Sequence, residues 1–258
     1  MPNTALITGA SSGIGRAIAH YHAARGGDLV VTARREPELQ ALKTEIEGKH
    51  SVTVNVVPCD LGTANGPKEL YEAVKNLGVR IEVLVNNAGF GGHGVFVERE
   101  LEADLKMVDL NVKSLVSLTH LFGADMVAQG GGKILQVGST AGFVPGPNQA
   151  VYFATKAFVN SFSQAVDQEL RKKGVTSTVL CPGYVETGFA SAADLQGTEM
   201  VKSGGATPDS VAKIGYDAML KGKLVAINEL KLKVMLEWIA PLLPRRMMLK
   251  NVEKSQSK

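Results

Sequence analysis

Cysteine is scarce in this sequence of 258 residues, which contains only two. Cys59 and Cys181 lie in separate apolar segments and form neither a metal-binding spacing nor a disulfide framework. No apolar run reaches the roughly 18 residues that a transmembrane helix needs. The segment that begins Met1-Pro2-Asn3-Thr4 lacks the basic and apolar regions of a signal peptide. We therefore expect a cytoplasmic protein without a metal site or a transmembrane segment.

A strong excess of one charge is also absent. The net charge of +3 is too small to indicate a nucleic-acid partner. The charge is unevenly distributed, because residues 221–258 contain nine Lys and Arg against three Glu, whereas the first 220 residues contain 19 basic and 22 acidic residues. The basic C-terminal end is either a solvated surface or the contact for an anionic substrate, partner or membrane surface.

Short apolar runs alternate with stretches of helical periodicity along most of the chain. The apolar runs cover residues 5–8, 29–32, 52–57, 83–85, 134–137, 176–180 and 224–227. The helical stretches cover residues 14–25, 36–47, 67–76, 101–129, 151–173 and 208–221. Such alternation is typical of a parallel sheet covered by helices on both faces. The sequence therefore predicts a single doubly wound, Rossmann-type α/β domain over residues 1–258, with seven parallel strands.

Two segments do not fit this alternation. Residues 188–206 are rich in small side chains and are interpreted as a loop or lid. Residues 229–258 form an apolar and basic extension, for which we expect a helix that packs on the core or on another subunit. A peripheral membrane contact is the less favoured interpretation of the extension. The polar end, 251–258, is expected to fray.

A glycine-rich turn follows the first predicted strand and opens the first predicted helix. It reads Thr8-Gly9-Ala10-Ser11-Ser12-Gly13-Ile14-Gly15. Glycines permit the tight turn and a close approach of the backbone to a pyrophosphate, and the helix N-terminus supplies free N–H groups. In this strand–turn–helix context the motif predicts a dinucleotide site.

The end of the second predicted strand distinguishes between two dinucleotides. An acidic side chain at this position would bind the ribose 2′-OH of NAD, but the sequence has Ala33 followed by Arg34 and Arg35. A guanidinium can bind a 2′-phosphate through paired donors. The sequence therefore favours NADP(H), although the two arginines could simply solvate a loop.

Tyr152 and Lys156 lie four residues apart in a predicted helix, with Ser139 thirteen residues before the tyrosine. This spacing places the phenol and the amine on one helical face, one turn apart. A protonated amine beside a phenol lowers the pKa of the phenol and makes it a usable proton donor. The spacing alone is weak, since many helices contain it by chance.

The combination of motifs resembles the short-chain dehydrogenase/reductase family over about residues 4–227. Besides the turn and the Ser139–Tyr152–Lys156 set, four further matches follow the order of the family. They are Asp60-Leu61, Asn86-Asn87-Ala88-Gly89, Asn111 and Pro182-Gly183-Tyr184-Val185-Glu186-Thr187. The resemblance implies a cofactor site formed by Gly9, Ser11, Ser12, Gly13, Ile14, Gly15, Arg34, Arg35, Asp60, Leu61, Asn87, Ala88, Gly89, Tyr152, Lys156, Pro182, Gly183, Val185 and Thr187.

The resemblance also implies a mechanism. Tyr152 is the general acid for carbonyl reduction and the base for alcohol oxidation. Lys156 binds the nicotinamide ribose and lowers the pKa of Tyr152. Ser139 donates a hydrogen bond to the substrate oxygen, where negative charge grows. Asn111 holds a water molecule that relays protons to Lys156.

The expected substrate wall consists of His93, Ala141, Phe143, Gln149 and Phe189. Because this wall is mostly apolar, it favours a hydrophobic ketone or aldehyde and resembles carbonyl, 3-oxoacyl and steroid-type reductases. The alternatives are a 3-oxoacyl thioester substrate, an NAD-linked alcohol dehydrogenase and a non-catalytic NADP-binding regulator. The resemblance further implies a homodimer or homotetramer, with helices 101–129 and 151–173 as the natural interface.

Overall fold

Seven parallel strands form the central sheet of the computed structural model, which describes residues 3–258. The spatial order is β3-β2-β1-β4-β5-β6-β7, and every neighbouring pair is parallel. The strands are β1 (Thr4–Thr8), β2 (Asp28–Thr32), β3 (Val54–Val56), β4 (Val83–Asn86), β5 (Gly132–Val137), β6 (Val175–Cys181) and β7 (Val225–Ile227). The prediction of a seven-stranded parallel sheet is confirmed. The strand order reverses between β1 and β4, which is where doubly wound sheets bind ligands.

Helices cover both faces of this sheet. They are α1 (Gly13–Ala23), α2 (Glu36–Glu47), α3 (Gly66–Asn76), α4 (Leu101–Val108), α5 (Leu115–Ala128), α6 (Ala150–Leu170), α7 (Phe189–Ala192), α8 (Glu199–Lys202), α9 (Pro208–Leu220), α10 (Leu230–Val234) and α11 (Arg245–Ser255). A π-helical segment, Asp109–Ser114, joins α4 to α5. The predicted helix over 101–129 is therefore continuous but locally widened.

The two faces of β1 show how the core is divided. Ile7 belongs to the cluster that packs against α1, α2 and α9, and Leu6 belongs to the cluster that packs against α3 and α5. Successive residues of a strand point to opposite faces, so an unbroken apolar strand supplies both cores. Full burial of an aliphatic side chain such as Ile18 or Leu39 stabilises the fold by about 1.5–3 kcal/mol.

The segment between β6 and α9 is a small subdomain over the end of the sheet. An isolated bridge between Val185 and Ala206 brackets it, and the short helices α7 and α8 lie between these residues. Ala190, Ala193 and Leu195 form its own apolar cluster. The residues predicted to form a lid thus form a folded flap.

The C-terminal extension is ordered differently from the prediction. Helix α11 continues to Ser255, and Gln256 is only 3% exposed. The expectation that 251–258 fray is wrong, because Gln256 is hydrogen-bonded to residues far away in the chain. None of the helices among residues 3–258 combines the length and the apolarity needed to cross a membrane.

Candidate active site

A cleft of about 790 Å³ opens at the carboxyl ends of the strands and extends beneath the flap. Most residues predicted for the cofactor and the reaction line it. They are Gly9, Ser11, Ser12, Gly13, Ile14, Arg34, Arg35, Asp60, Leu61, Asn87, Ala88, Gly89, Ser139, Tyr152, Lys156, Pro182, Gly183, Val185 and Thr187. Gly15 and Asn111 lie just behind this lining. Parallel strands bring these positions together because all seven end at the same edge of the sheet.

The turn between β1 and α1 has the backbone of an anion-binding loop. Gly9 and Gly13 have φ angles of +65° and +57°, in the left-handed region that favours glycine. A Cβ on Gly15 would lie 2.5 Å from the carbonyl oxygen of Gly9. Ser12 makes no side-chain cap, so the first N–H groups of α1 remain open to the cleft.

Asn87 and Thr8 hold this turn in place. The amide of Asn87 donates to the carbonyls of Thr8 and Gly9 at 2.9 and 3.2 Å. The backbone N–H groups of Asn87 and Ala88 donate to the Thr8 hydroxyl at 2.9 Å each. The segment after β4 therefore positions the phosphate end of the cleft.

The second strand ends at two exposed arginines. Arg35 Nη2 donates to Ser11 Oγ at 3.0 Å, and its Nη1 lies 3.1 Å from a Glu38 carboxylate oxygen. Both Arg34 and Arg35 line the cleft. Asp60, on the neighbouring loop, accepts from the N–H of Gly62 at 2.9 Å and borders the same end.

Tyr152 lies on the first turn of α6, with Ser139 opposite it at the end of β5. Burial raises the pKa of Tyr152 to about 12, and the hydrogen bond with Ser139 offsets part of that rise. Ser139 Oγ also accepts from the N–H of Ala141 at 3.0 Å, which fixes the side chain at the rim of the cleft. The phenol is thus fully protonated near neutral pH.

Lys156 is 7% exposed, and its Nζ donates to the carbonyl of Val137 at 2.8 Å. Burial lowers the pKa of Lys156 to about 8, with a small opposing effect of Cys181. The Nζ lies 5.8 Å from the centroid of the Tyr152 ring. Desolvation is thus the largest influence on the Tyr152 pKa in this structure, and the expected lowering of that pKa by Lys156 stays a prediction.

Asn111 occupies the π-helical segment and is almost fully buried. Its amide nitrogen donates to the Phe90 carbonyl at 2.9 Å and to Thr155 Oγ1 at 3.1 Å, while its oxygen accepts from the Phe90 N–H at 3.1 Å. The side chain therefore joins the loop after β4 to helix α6. π-Helical turns inside α-helices frequently occur at functional sites.

The far end of the cleft is mostly apolar. Phe189 of the flap packs on Tyr152 with ring centroids 5.4 Å apart. Gly91 permits this approach, because a Cβ there would lie 2.8 Å from the Phe189 ring. Of the predicted substrate wall, Ala141, Gln149 and Phe189 line the cleft. Additional lining residues not predicted from the sequence are Val144, Leu195, Met200, Leu232, Leu236, Val252, Ser255 and Gln256.

The other two predicted wall residues lie elsewhere. Phe143 packs against the cluster that contains Leu115 and Val159. His93 lies behind the lining and donates from Nε2 to the carbonyl of Gln256. Neither position could be deduced from motif spacing, since each depends on contacts distant in sequence.

The donor set of this cleft fits a nicotinamide dinucleotide. Glycines without Cβ atoms, open helix N–H groups and cationic side chains lie at one end, and Ser139, Tyr152 and Lys156 lie at the other. Residues 3–258 contain no cluster of three or more His, Cys, Asp or Glu side chains that could hold a metal ion.

Comparison with known proteins gives concordant results. The family model for short chain dehydrogenases matches residues 3–196. A sulfoacetaldehyde reductase of Chromohalobacter salexigens is 39% identical over 191 residues, which are 73% of this chain and 75% of that protein.

Two solved structures extend the comparison. A short-chain dehydrogenase from Sphingobium yanoikuyae in complex with NADPH is 29% identical, with a TM-score of 0.85 and coverage of 100% of this chain and 99% of that one. A bulky-bulky ketone specific alcohol dehydrogenase from Comamonas testosteroni is 28% identical, with a TM-score of 0.78 and coverage of 95% and 98%. The likeness therefore includes the C-terminal segment that follows the family match.

Proposed function

The chain belongs to the short-chain dehydrogenase family, and from that premise we propose that it is an NADP(H)-dependent reductase of hydrophobic ketones or aldehydes. The observation that carries the proposal is the position of Tyr152. Its phenol, protonated near neutral pH, lies beside Ser139 in a cleft whose far end is apolar. An acid is what carbonyl reduction requires, whereas alcohol oxidation requires the phenolate.

In the proposed reaction Tyr152 donates its proton to the carbonyl oxygen as negative charge develops there. The Ser139 hydroxyl donates a hydrogen bond to the same oxygen. Lys156 supplies a positive charge that stabilises the resulting phenolate when the amine is protonated. A bound nicotinamide supplies the hydride chemistry, and the protein supplies orientation and protons. Asn111 fixes the loop after β4 against α6.

The preference for NADP(H) follows from the end of β2. Ala33 offers no carboxylate for a ribose 2′-OH, and Arg34 and Arg35 line that end of the cleft. We expect Arg34→Ala to weaken NADPH binding by about tenfold and to change NADH binding little, because an exposed charge-assisted contact contributes on the order of 1–2 kcal/mol. Fluorescence titration with both dinucleotides measures this ratio, and equal losses would contradict the preference.

The substrate end favours an uncharged molecule. Among the described lining residues, the basic side chains are Arg34 and Arg35 at the phosphate end and Lys156 at the reaction centre. The basic residues of the C-terminal extension do not line the cleft. A sulfonate or a CoA thioester would therefore find no additional cation beside the apolar wall, and we favour a neutral carbonyl compound.

A panel of ketones and aldehydes tests the proposal through oxidation of NADPH. Tyr152→Phe should abolish turnover and leave NADPH binding largely intact, because it removes only the hydroxyl. Tyr71→Phe is the matched control, since the Tyr71 hydroxyl contacts Asp125, remote from the cleft. Unchanged turnover in Tyr152→Phe would refute the assignment. NADPH binding without oxidation across the whole panel would instead indicate a non-catalytic protein.

A further inference from the structure

Asn160 continues the helical face that carries Tyr152 and Lys156. The three residues are spaced by four along α6, so their side chains follow one another on one face of the helix. Asn160 is 5% exposed and does not line the cleft. The proposed reaction uses Tyr152 and Lys156 but gives Asn160 no role. A buried amide nevertheless needs partners for its donor and for its acceptor.

The partners of Asn160 come from the ends of two strands. Its amide nitrogen donates to the backbone carbonyl of Ser139 at 3.0 Å, and its Oδ1 accepts from the Cys181 thiol at 3.3 Å. Because a backbone carbonyl can only accept, the nitrogen must be the amide atom that faces Ser139. Ser139 follows β5 and Cys181 ends β6, so one side chain joins both strands to α6.

Two glycines surround the Asn160 amide. A Cβ on Gly138 would collide with the Asn160 oxygen, and a Cβ on Gly142 would collide with its nitrogen. Neither glycine has a left-handed φ, so a close approach rather than a turn accounts for the missing side chain. The amide is therefore confined against the segment that carries Ser139.

Lys156 and Asn160 bind alternate carbonyls of this segment. Lys156 Nζ donates to the carbonyl of Val137 at 2.8 Å, and Asn160 donates to that of Ser139, two residues further on. Two residues of extended chain span about 6.6 Å, and four residues of helix span about 6 Å, so the two spacings match. If Lys156 turns towards the nicotinamide ribose, as the family resemblance implies, Asn160 keeps the second of these two bonds.

We propose that Asn160 is a positioning residue that fixes Ser139 relative to Tyr152. This inference rests on the proposed reductase function, in which the Ser139 hydroxyl and the Tyr152 phenol both donate to one carbonyl oxygen. Ser139 follows a strand and Tyr152 lies on a helix, so the distance between them depends on the bonds that join these elements. Asn160 bonds the backbone of Ser139 to the helix that carries Tyr152, and it acts on the reaction through Ser139.

Replacement of Asn160 by alanine removes the bond to Ser139. We expect kcat for a ketone that the wild type reduces to fall about tenfold, because a misplacement of about 1 Å can cost about a hundredfold and a smaller shift costs less. The affinity for NADPH in a fluorescence titration should stay near that of the wild type. Asn160→Leu, which keeps the volume, should show the same loss if the alanine variant folds poorly. Ser163→Ala is the matched control, since Ser163 is a buried residue of the same helix that bonds to Ser177 away from the cleft.

A double-mutant cycle with Ser139→Ala separates positioning from a general loss of structure. If Asn160 acts through Ser139, Asn160→Ala should lower kcat little further once the Ser139 hydroxyl is absent. Single-turnover oxidation of bound NADPH measures the slow variants. An equal loss in both backgrounds would overturn the inference, as would an unchanged kcat in Asn160→Ala itself.

Crystal structures of the NADPH complexes separate this outcome from that of the proposed function. We expect Ser139 Oγ to move by about 0.5 Å or more in Asn160→Ala and to keep its place in Ser163→Ala. If Ser139 moves but no carbonyl compound is reduced by the wild type, the positioning contact stands and the reductase assignment fails. If ketones are reduced and Ser139 keeps its place in Asn160→Ala, the reductase assignment stands and the inference is overturned.

Discussion

Replacement of Lys156 by methionine should stabilise the protein while it destroys activity. The amine is 7% exposed, and burial lowers its pKa to about 8 from the ordinary 10.5. When burial lowers the pKa of a lysine, the charged form is less stable in the folded protein than in the unfolded chain. Methionine has a similar length and no charge, so it removes the penalty with little change in packing.

The magnitude follows from the shift of the Lys156 pKa. At pH 7 the lowered pKa reduces the free energy of unfolding by about 3 kcal/mol, compared with a lysine of ordinary pKa. At pH 9 the reduction is about 2 kcal/mol. Between the two pKa values the unfolded chain binds more protons, so this contribution to stability rises with pH. The penalty is complete below about pH 8 and disappears above 10.5. Loss of the bond to the Val137 carbonyl offsets about 1–3 kcal/mol of the gain.

Urea unfolding of wild-type and Lys156→Met protein at pH 7, 8 and 9 measures the effect. The free energy of unfolding of the wild type should rise by about 1 kcal/mol relative to the variant across this range. Lys113→Met is the control, because the Lys113 side chain is 74% exposed and its replacement removes a cation from the surface rather than from the interior. Parallel pH profiles for Lys156→Met and wild type would refute the argument.

Further predictions address the turn, the pH profile and the assembly. Gly9→Ala should weaken NADPH binding at least tenfold in a fluorescence titration, because its Cβ would lie 2.8 Å from the Asn87 amide and the φ of +65° is strained. The kcat/KM for NADPH in ketone reduction should fall above about pH 8, as Lys156 loses its proton, whereas alcohol oxidation should rise with pH because Tyr152 has a pKa of about 12. Leu105→Glu should convert a homodimer or homotetramer into monomers in light scattering, since the half-exposed Leu105 lies on α4 of the expected interface; an unchanged mass would contradict that interface.

The sequence was sufficient to predict the sheet and the convergence of the motif residues on one cleft. Both depend on local patterns: unbroken apolar strands, a glycine turn before a helix, and a tyrosine and a lysine one turn apart. Because parallel strands end at one edge, motifs that follow different strands must converge there. Gly13, Arg34 and Lys156 therefore meet around one cleft although they are far apart in the chain.

The substrate end could not be predicted in the same way. Gln256 meets Gln149 and His93 across 107 and 163 residues, and no local periodicity reports such contacts. The polar composition of 251–258 suggested a frayed end, which was reasonable for residues without partners. The hydrogen bond from Lys156 to the Val137 carbonyl could not be predicted either. Residue spacing assigns the amine to a helical face but does not identify the acceptor that it contacts.

One physical cause, desolvation, acts on both members of the Tyr152–Lys156 pair and in opposite directions on their pKa values. It keeps the phenol protonated and lets the amine lose its proton near pH 8, so at neutral pH Lys156 is the one charged member of the pair. If both groups were ionised, Tyr152 would be a phenolate, which can accept a proton but has none to donate. Burial of the pair therefore has two consequences: Lys156 is costly to hold as a cation, and Tyr152 keeps the proton that the proposed carbonyl reduction would use.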